Sequence, residues 1–222
     1  MSLRAGVITF PGSNCDQDMV YVLRNFFEAQ VDVLWYRDSI AGAYDLLVLP
    51  GGFSYGDYLR SGAIAGFAPA MRGFKEHVQK GGAGLGICNG FQILCESHVL
   101  PGALIRNTSL KHICKTAVIE PVHRQGLNQG LEQSVYRIPV SHSDGNYRID
   151  PQGLQELEDQ GRILWRYAEP INGSVADIAG ICSANGRVLG MMPHPERAVD
   201  PLTGGTDGQA ILQNVVAMAL AG

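Results

Sequence analysis

Short apolar runs alternate with helix-like segments through the first hundred residues, and this alternation limits the folds that the chain can adopt. The apolar runs predict buried strands at residues 4–10, 31–36, 45–50 and 82–88. Amphipathic segments predict helices over residues 16–30, within 62–80 and over 89–98. Because strands that alternate with helices pair in parallel, we expect a doubly wound α/β sheet with ligands at the carboxyl ends of its strands.

The second half of the chain has a different pattern, in which short strand-like runs are separated by Pro, Gly and Asn. The runs fall within residues 104–148 and 162–192, and a predicted hairpin joins 178–182 to 187–192. Further helices are predicted at 152–160 and 208–220. Because no linker or repeat interrupts the chain, we expect one domain over residues 1–222, with a mainly parallel sheet and antiparallel additions.

The composition argues against several classes of protein. The formal net charge is −4 and the basic residues form no stripe, so we expect no nucleic-acid partner. No apolar run approaches the ~18 residues of a membrane span, and no signal-peptide pattern is seen. The five cysteines include no CxxC pair, which argues against a disulfide framework or a zinc knuckle. We therefore expect a cytoplasmic enzyme with reduced thiols.

Cys88 has the strongest chemical signature in the sequence. It lies in Gly86-Ile87-Cys88-Asn89-Gly90, where a predicted strand ends and a predicted helix begins. Glycines two residues before and after a nucleophile permit a sharp strand-to-helix turn, because side chains there would collide. The helix N-terminus favours the thiolate and offers the Asn89 N–H group as an oxyanion donor. The alternative is a packed structural cysteine, which the pentapeptide alone does not exclude.

His194 and Glu196 favour the catalytic interpretation of Cys88. They lie in the segment 191–197 (MMPHPER), where each proline holds the preceding residue extended, so the two side chains tend to point the same way. A carboxylate beside an imidazole orients it, and the imidazole can then act as base toward a thiol. The alternatives are a surface turn or a metal site, but the sequence places no further ligand cluster nearby.

The segment Pro50-Gly51-Gly52-Phe53 follows a predicted strand and should lie on the same sheet edge as Cys88. Consecutive glycines allow backbone N–H groups to turn toward an anion. We expect the N–H group of Gly52 or Phe53 to supply the second oxyanion donor. An ordinary β-turn is the alternative.

The other cysteines have weaker signatures. Cys15 also follows a strand at a predicted helix start, but it lacks flanking glycines, and Asp16 and Asp18 would oppose its thiolate. It is therefore predicted to be a poorer nucleophile than Cys88. Three cysteines are predicted to lie in the core: Cys95, Cys114 and Cys182.

Three further polar residues have less specific patterns. His142 lies in residues 141–145 (SHSDG), a loop that either lines the pocket or forms a plain turn. Asn107 and Asn172 each begin a glycosylation sequon, but nothing in the sequence indicates secretion, so we expect neither to be modified.

Together these motifs resemble the class I (triad) glutamine amidotransferases. The resemblance rests on the Pro-Gly-Gly strand end, the segment 86–92 (GICNGFQ) and the late His-Pro-Glu. Residues 10–16 (FPGSNCD), 51–58 (GGFSYGDY) and 190–197 (GMMPHPER) are similar, more narrowly, to the family of glutaminase subunits of phosphoribosylformylglycinamidine synthase, from purine biosynthesis. Residues 141–147 (SHSDGNY) depart from the family, which often has His-Gly-Glu-Gly-Arg-Tyr there.

The resemblance implies a flavodoxin-like sheet that carries a glutamine-hydrolysing site. Cys88 would be the nucleophile, His194 the base and Glu196 the residue that orients the base. The oxyanion donors would be Gly52, Phe53 and Asn89, and Gln92 would help to hold the substrate glutamine.

The chain has no phosphate-binding loop of the Gly-x4-Gly-Lys-Ser/Thr type, so ammonia must pass to another polypeptide. The resemblance implies an ATP-dependent synthetase subunit that converts formylglycinamide ribonucleotide to the amidine, together with a small accessory subunit. ATP and magnesium would be bound by that synthetase, and we expect no cofactor or metal in this chain.

Three alternatives remain. The chain could serve a different synthetase. It could be a DJ-1-like protein or cysteine hydrolase, which shares the sheet and the elbow cysteine but does not need Glu196. It could also be a non-catalytic binding module, although that would require a broken triad.

Overall fold

A computed structural model describes residues 2–40 and 42–221, so residues 1, 41 and 222 of the expected domain lie outside the described residues. The described part contains eleven strands: β1 Arg4–Thr9, β2 Gln30–Trp35, β3 Leu46–Leu49, β4 Ala83–Ile87, β5 Ala103–Ile105, β6 Ile113–Pro121, β7 Tyr136–His142, β8 Asn146–Arg148, β9 Ile163–Tyr167, β10 Ile178–Cys182 and β11 Val188–Met191. It also contains five α-helices: α1 Asp16–Phe27, α2 Pro69–Gln79, α3 Asn89–Glu96, α4 Pro151–Asp159 and α5 Asp207–Leu220.

Nine of these strands form one sheet in the order β2-β1-β3-β4-β11-β10-β9-β6-β7. The first five pair in parallel, and the remaining pairs are antiparallel. Strands β5 and β8 form a separate antiparallel pair. The expected mainly parallel sheet with antiparallel additions is therefore confirmed.

The central strands are hydrophobic on both faces because helices cover the sheet on both sides. Every residue of β3, β4 and β11 is buried, as the continuous apolar runs predict. The predicted hairpin of β10 and β11 is confirmed as an antiparallel pair. Strand β7 is the last strand of the sheet, so one of its edges is free of strand partners.

Helix boundaries differ from the predictions where local backbone geometry interrupts them. Helix α1 ends at Phe27 because Glu28 adopts a left-handed conformation, with φ of 50°, and β2 then begins at Gln30. The helix predicted within residues 62–80 is divided. A short 3₁₀ turn at Ala65–Phe67 precedes α2, which begins at Pro69, where proline suits the first helical position.

The prediction that Cys114 lies in the core is wrong, because its position on β6 is exposed. Cys95 and Cys182 are buried, as predicted. Neighbouring positions on a strand alternate between faces, and a short apolar run alone does not reveal which face is covered. Across residues 2–40 and 42–221, no helix combines the length and apolar character needed to cross a membrane.

Candidate active site

The sheet topology brings the three predicted site segments to one edge. Strand β4 lies between β3 and β11, and all three run in parallel, so their carboxyl ends are neighbours. Gly51 and Gly52 follow β3, Cys88 follows β4, and His194 follows β11. These residues are far apart in the sequence, and the parallel register alone places them side by side.

Cys88 occupies a strained turn between β4 and α3. Its φ and ψ are 51° and −105°, a conformation that few non-glycine residues adopt. A Cβ on Gly86 would lie 2.8 Å from the Gly90 backbone, and a Cβ on Gly90 would overlap the Leu49 carbonyl oxygen. Both glycines are therefore required by close packing, for the reason that the sequence pattern predicts.

The Cys88 thiol lies against the free edge of β7. It donates a hydrogen bond to the Ser141 carbonyl oxygen at 3.5 Å, and its side chain is almost fully buried. The Cys88 N–H group donates to the Met191 carbonyl oxygen at 2.8 Å, which ties the turn to the neighbouring β11. The sulfur is thus held at a defined position between two strand ends.

His194 and Glu196 form a buried pair. The Nδ1 atom of His194 lies 2.7 Å from the Glu196 Oε1 atom, and the two side chains are 2% and 1% exposed. Among residues 2–40 and 42–221, the Nε2 atom of His194 has no hydrogen-bond partner. Burial lowers the pKa of His194, but the charges of Glu196 and Cys88 outweigh burial and raise that pKa above its ordinary value.

The pair is held by a short 3₁₀ turn, Pro195–Arg197, that follows β11. The His194 N–H group donates to the Pro139 carbonyl oxygen at 2.8 Å. Pro139 and Ser141 are two residues apart on β7, so the same free strand edge contacts both His194 and Cys88. The two side chains thus meet on one side, as the sequence predicts, but the prediction of an extended segment is wrong after His194, because the chain turns into a 3₁₀ helix at Pro195.

In the glycine segment after β3, the backbone of Gly12 packs against both candidate donor residues. Gly52 has φ of 152°, and a Cβ there would lie 2.8 Å from the Gly12 carbonyl oxygen. The Phe53 N–H group donates to that same Gly12 oxygen at 2.9 Å. The expectation that Phe53 is an oxyanion donor is therefore corrected, because its N–H group is already bonded within the protein.

Asn89 and Gln92 belong to a series of hydrogen bonds that begins next to Cys88 in the sequence. The Asn89 Oδ1 atom accepts from the Ser54 N–H group at 3.1 Å, and its Nδ2 atom donates to the Gln92 Oε1 atom at 2.9 Å. The Gln92 Nε2 atom donates to the Asp144 carbonyl oxygen at 2.7 Å. Asn89 is also the first residue of α3, where the backbone N–H group has no intrahelical acceptor.

The carboxylates of Asp57 and Asp144 lie beside these hydrogen-bonded side chains. The Asp144 Oδ2 atom accepts a hydrogen bond from the Ser61 hydroxyl at 2.8 Å. Burial and the nearby charge of Asp144 raise the pKa of Asp57 to about 6. The sequence alone did not place Asp57 near Asp144, because 86 positions separate them and neither belongs to a periodic pattern.

The two sequons are structural rather than exposed. Asn107 and Asn172 are 0% and 1% exposed, so neither amide is available for glycosylation in the folded protein. The Asn172 Nδ2 atom donates to the Gly145 carbonyl oxygen at 2.7 Å, and the Asn107 Oδ1 atom accepts from the Gly145 N–H group at 3.0 Å. Hydrogen bonds to Asn107 and Asn172 thus hold the loop around His142 from two sides, and this loop contacts the site.

Cys15 lies much closer to His194 than sequence reasoning indicates. Its sulfur, a His194 ring nitrogen and a Glu196 carboxylate oxygen all lie within 4.8 Å of one another. The fold thus adds one ligand-type side chain to the pair, from a segment that is distant in the sequence. Burial is the main cause that raises the pKa of Cys15 to about 12, with the charge of Glu196 second, so the thiol is a poor nucleophile.

Comparison with known proteins agrees with this geometry. The model of the CobB/CobQ-like glutamine amidotransferase domain matches residues 2–207. The phosphoribosylformylglycinamidine synthase subunit PurQ of Leptospira interrogans (serovar copenhageni) is 51% identical over 220 residues, which cover 96% of this chain and 99% of that protein. The subunit PurQ of Synechococcus sp. is 50% identical over 219 residues, 96% of each chain.

A solved structure gives the same result. A chain in the structure of PurLQS from Thermotoga maritima superposes with a TM-score of 0.88 at 38% identity, over 98% of this chain and 99% of that one. This match confirms the expected glutamine amidotransferase fold. The chain belongs to the PurQ family of glutamine amidotransferases, the subunits of phosphoribosylformylglycinamidine synthase.

Proposed function

We propose that this chain hydrolyses glutamine to glutamate and ammonia and that Cys88, His194 and Glu196 carry out the reaction. The observation that supports it most is the convergence of three parallel strand ends, which are followed by the Gly51-Gly52 segment, a strained cysteine and a buried histidine–carboxylate pair. A cysteine in a strand-to-helix turn beside such a pair has the arrangement of an acyl-transfer nucleophile.

In the first step, His194 takes the proton of the Cys88 thiol as the sulfur attacks the side-chain amide carbon of glutamine, and a carbon–sulfur bond forms. The electron pair of the carbonyl moves to its oxygen, and the N–H groups of Gly52 and Asn89 stabilise this oxyanion. When the tetrahedral intermediate collapses, the carbon–nitrogen bond breaks and His194 donates that proton to the departing amide nitrogen, which leaves as ammonia. Loss of one oxyanion donor costs roughly 3–4 kcal/mol in comparable enzymes.

In the second step, water replaces ammonia. His194 takes a proton from the water molecule as it attacks the thioester carbon, and the carbon–sulfur bond then breaks. Glutamate leaves and the Cys88 thiol is regenerated, so each turnover consumes one glutamine and one water. Glu196 holds the Nδ1 atom of His194 throughout, which leaves the unpartnered Nε2 atom for proton transfer.

The ammonia is used by a partner. The relatives are named as subunits of phosphoribosylformylglycinamidine synthase, and we propose that this chain supplies ammonia to that enzyme's synthetase subunit, with a small accessory subunit, in the cytoplasm. There, ammonia converts formylglycinamide ribonucleotide to formylglycinamidine ribonucleotide. ATP and magnesium belong to the synthetase.

We propose that the chain is one domain, because a single nine-stranded sheet carries all the site segments.

The decisive experiment uses the reconstituted complex and two nitrogen sources. Cys88→Ala should abolish amidine formation with glutamine but leave the rate with ammonium salts unchanged. Cys114→Ala is the matched control, because that cysteine is exposed and lies outside the site. Persistent glutamine-dependent activity in Cys88→Ala would overturn the proposal.

A second measurement tests whether the subunit acts for this synthetase. Free glutaminase activity wastes glutamine, so the isolated chain should hydrolyse glutamine slowly and the synthetase should accelerate it. Equal rates with and without the synthetase would argue for a different partner or for an independent hydrolase.

A further inference from the structure

Arg197 connects the loop that carries the catalytic pair to the start of α1. It follows Glu196 directly in the sequence, and its Nε atom donates to the Asp18 Oδ2 atom at 3.0 Å. Its Nη2 atom donates to the Cys15 sulfur, also at 3.0 Å. One guanidinium thus joins the residue next to Glu196 to two groups in the first turn of a different element.

Cys15 in turn connects α1 to the oxyanion segment. Its N–H group donates to the Gly51 carbonyl oxygen at 3.2 Å. A Cβ on Gly51 would lie 3.0 Å from the Cys15 sulfur and 2.7 Å from the Cε1 atom of His194. The sulfur and the imidazole therefore both pack against the bare face of Gly51, one residue before the donor Gly52.

The hydrogen bonds of the Cys15 sulfur fit a neutral thiol. The sulfur donates to the Asn14 Oδ1 atom at 3.3 Å and accepts from Arg197. A neutral, almost fully buried thiol adds no charge beside His194. The geometry therefore gives Cys15 a role in packing and spacing, distinct from the nucleophilic role of Cys88.

We propose that Cys15 and Arg197 are positioning residues for glutamine hydrolysis. They fix the distance between the His194–Glu196 pair and the Gly52 oxyanion donor by fastening both segments to the N-terminal turn of α1. This inference rests on the proposed function. It adds to that function a structural support outside the triad. This support is the N-terminal turn of α1, which contributes no group to the chemistry.

The spacing matters because the base and the oxyanion donor serve the same transition state. Both follow β-strand ends in irregular segments, where the sheet alone does not fix their side-chain geometry. A misplacement of ~1 Å in such a site costs about 100-fold in rate. A guanidinium holds two acceptors in a rigid fork, whereas the ammonium of lysine supplies the charge without the fork.

The test uses the complex with its synthetase and measures kcat and KM for glutamine, together with the rate on ammonium salts. Arg197→Gln and Cys15→Ala should each lower the glutamine-dependent kcat roughly 10- to 100-fold, with KM nearly unchanged. Arg197→Lys should restore part of kcat. The ammonium-dependent rate should stay at the wild-type level, which shows that the complex remains assembled.

Two further variants keep the test decisive if Arg197→Gln disturbs folding. Asp18→Asn removes one partner of Arg197 at a partly exposed site and should lower kcat by a smaller factor. Arg166→Gln is the matched control, since Arg166 also bonds a carboxylate and a carbonyl oxygen, those of Glu158 and Ala176, without contacting the site segments. It should keep the wild-type kcat.

The inference is overturned if the Arg197 and Cys15 variants keep the wild-type kcat. It is also overturned if their glutamine-dependent and ammonium-dependent rates fall together, since this indicates general structural damage. Failure of the proposed function has a different signature, which is glutamine-dependent activity that survives Cys88→Ala in the same assay.

Discussion

Asn107 determines which ring nitrogen of His142 carries the proton. The Asn107 Nδ2 atom donates to the carbonyl oxygens of Lys111 and His142, both at 2.9 Å, and its Oδ1 atom accepts from the Gly145 N–H group. These backbone partners fix the orientation of the Asn107 amide. The His142 Nδ1 atom, 3.2 Å from Oδ1, must therefore be the donor, and Nε2 is an acceptor without a protein partner.

This arrangement predicts that acid destabilises the protein through His142. Burial first, and then the charges of His194 and His112, lower the pKa of His142 to about 4, against ~6.5 in the unfolded chain. Between these values the unfolded state binds the proton and the folded state does not. The free energy of unfolding should therefore fall by ~1.4 kcal/mol for each pH unit from this residue as pH drops from about 6.5 to about 4.

Urea unfolding at several pH values measures this effect. His142→Gln keeps a donor for Asn107 but does not titrate, so its stability should depend less on pH than that of the wild type. His98→Asn, at an exposed histidine, should keep the wild-type slope. An unchanged slope in His142→Gln would show that His142 does not account for the acid sensitivity.

Glu196→Gln tests the role of the carboxylate in the pair. The amide keeps the size of the side chain but removes the charge that raises the pKa of His194, so that pKa should fall and the imidazolium should be less stable. Steady-state kinetics should show a loss in glutamine-dependent kcat of roughly 100- to 10,000-fold, with the ammonium-dependent rate intact. A cysteine hydrolase of the DJ-1-like kind does not need this carboxylate, so full activity would favour that alternative.

The sequence predicts those parts of the fold and the site that depend on hydrophobic periodicity and on the placement of glycines. Alternating strands and helices predict the parallel core, and the flanking glycines predict the turn at Cys88. Pro-His-Pro-Glu likewise predicts that the side chains of His194 and Glu196 point the same way, although not the 3₁₀ turn that brings them together. Each of these features is local, or follows from the rule that parallel strand ends share an edge.

Long-range side-chain contacts are not predictable in the same way. The position of Cys15 beside His194 depends on how the start of α1 packs against the ends of β3 and β11, and no spacing in the sequence encodes that contact. The sequence predicts the Phe53 N–H group as an oxyanion donor, but this group donates to the Gly12 carbonyl oxygen. Two segments separated by about forty residues decide this hydrogen bond.

Gly90→Ala tests whether close packing, rather than backbone freedom, requires glycine two residues after Cys88. Gly90 is buried in α3, and an added methyl group would overlap the Leu49 carbonyl oxygen. Thermal unfolding should show a loss of ~1–3 kcal/mol or more, as for other overpacked cores, and activity should fall with it. Gly186→Ala is the control, because its φ is 69° but its Cβ would meet open space. That variant should lose only ~1 kcal/mol from backbone strain, and equal losses would contradict the packing argument.

Asp57→Asn tests the carboxylate pair beside Gln92. Burial, and then the charge of Asp144, raise the pKa of Asp57 to about 6, so between pH ~4 and ~6 the folded state binds a proton that the unfolded state has released. The stability contribution of Asp57 is therefore complete at low pH and is lost as pH rises through about 6, opposite in sign to that of His142.

Asn tolerates the left-handed backbone of this position, with φ of 55°, and does not titrate. Compared with the wild type, Asp57→Asn should gain stability in urea unfolding at pH 8 relative to pH 4, whereas Asp159→Asn, at an exposed position of α4, should not. Parallel pH profiles for the wild type and Asp57→Asn would show that the pKa of Asp57 is not raised in the folded protein.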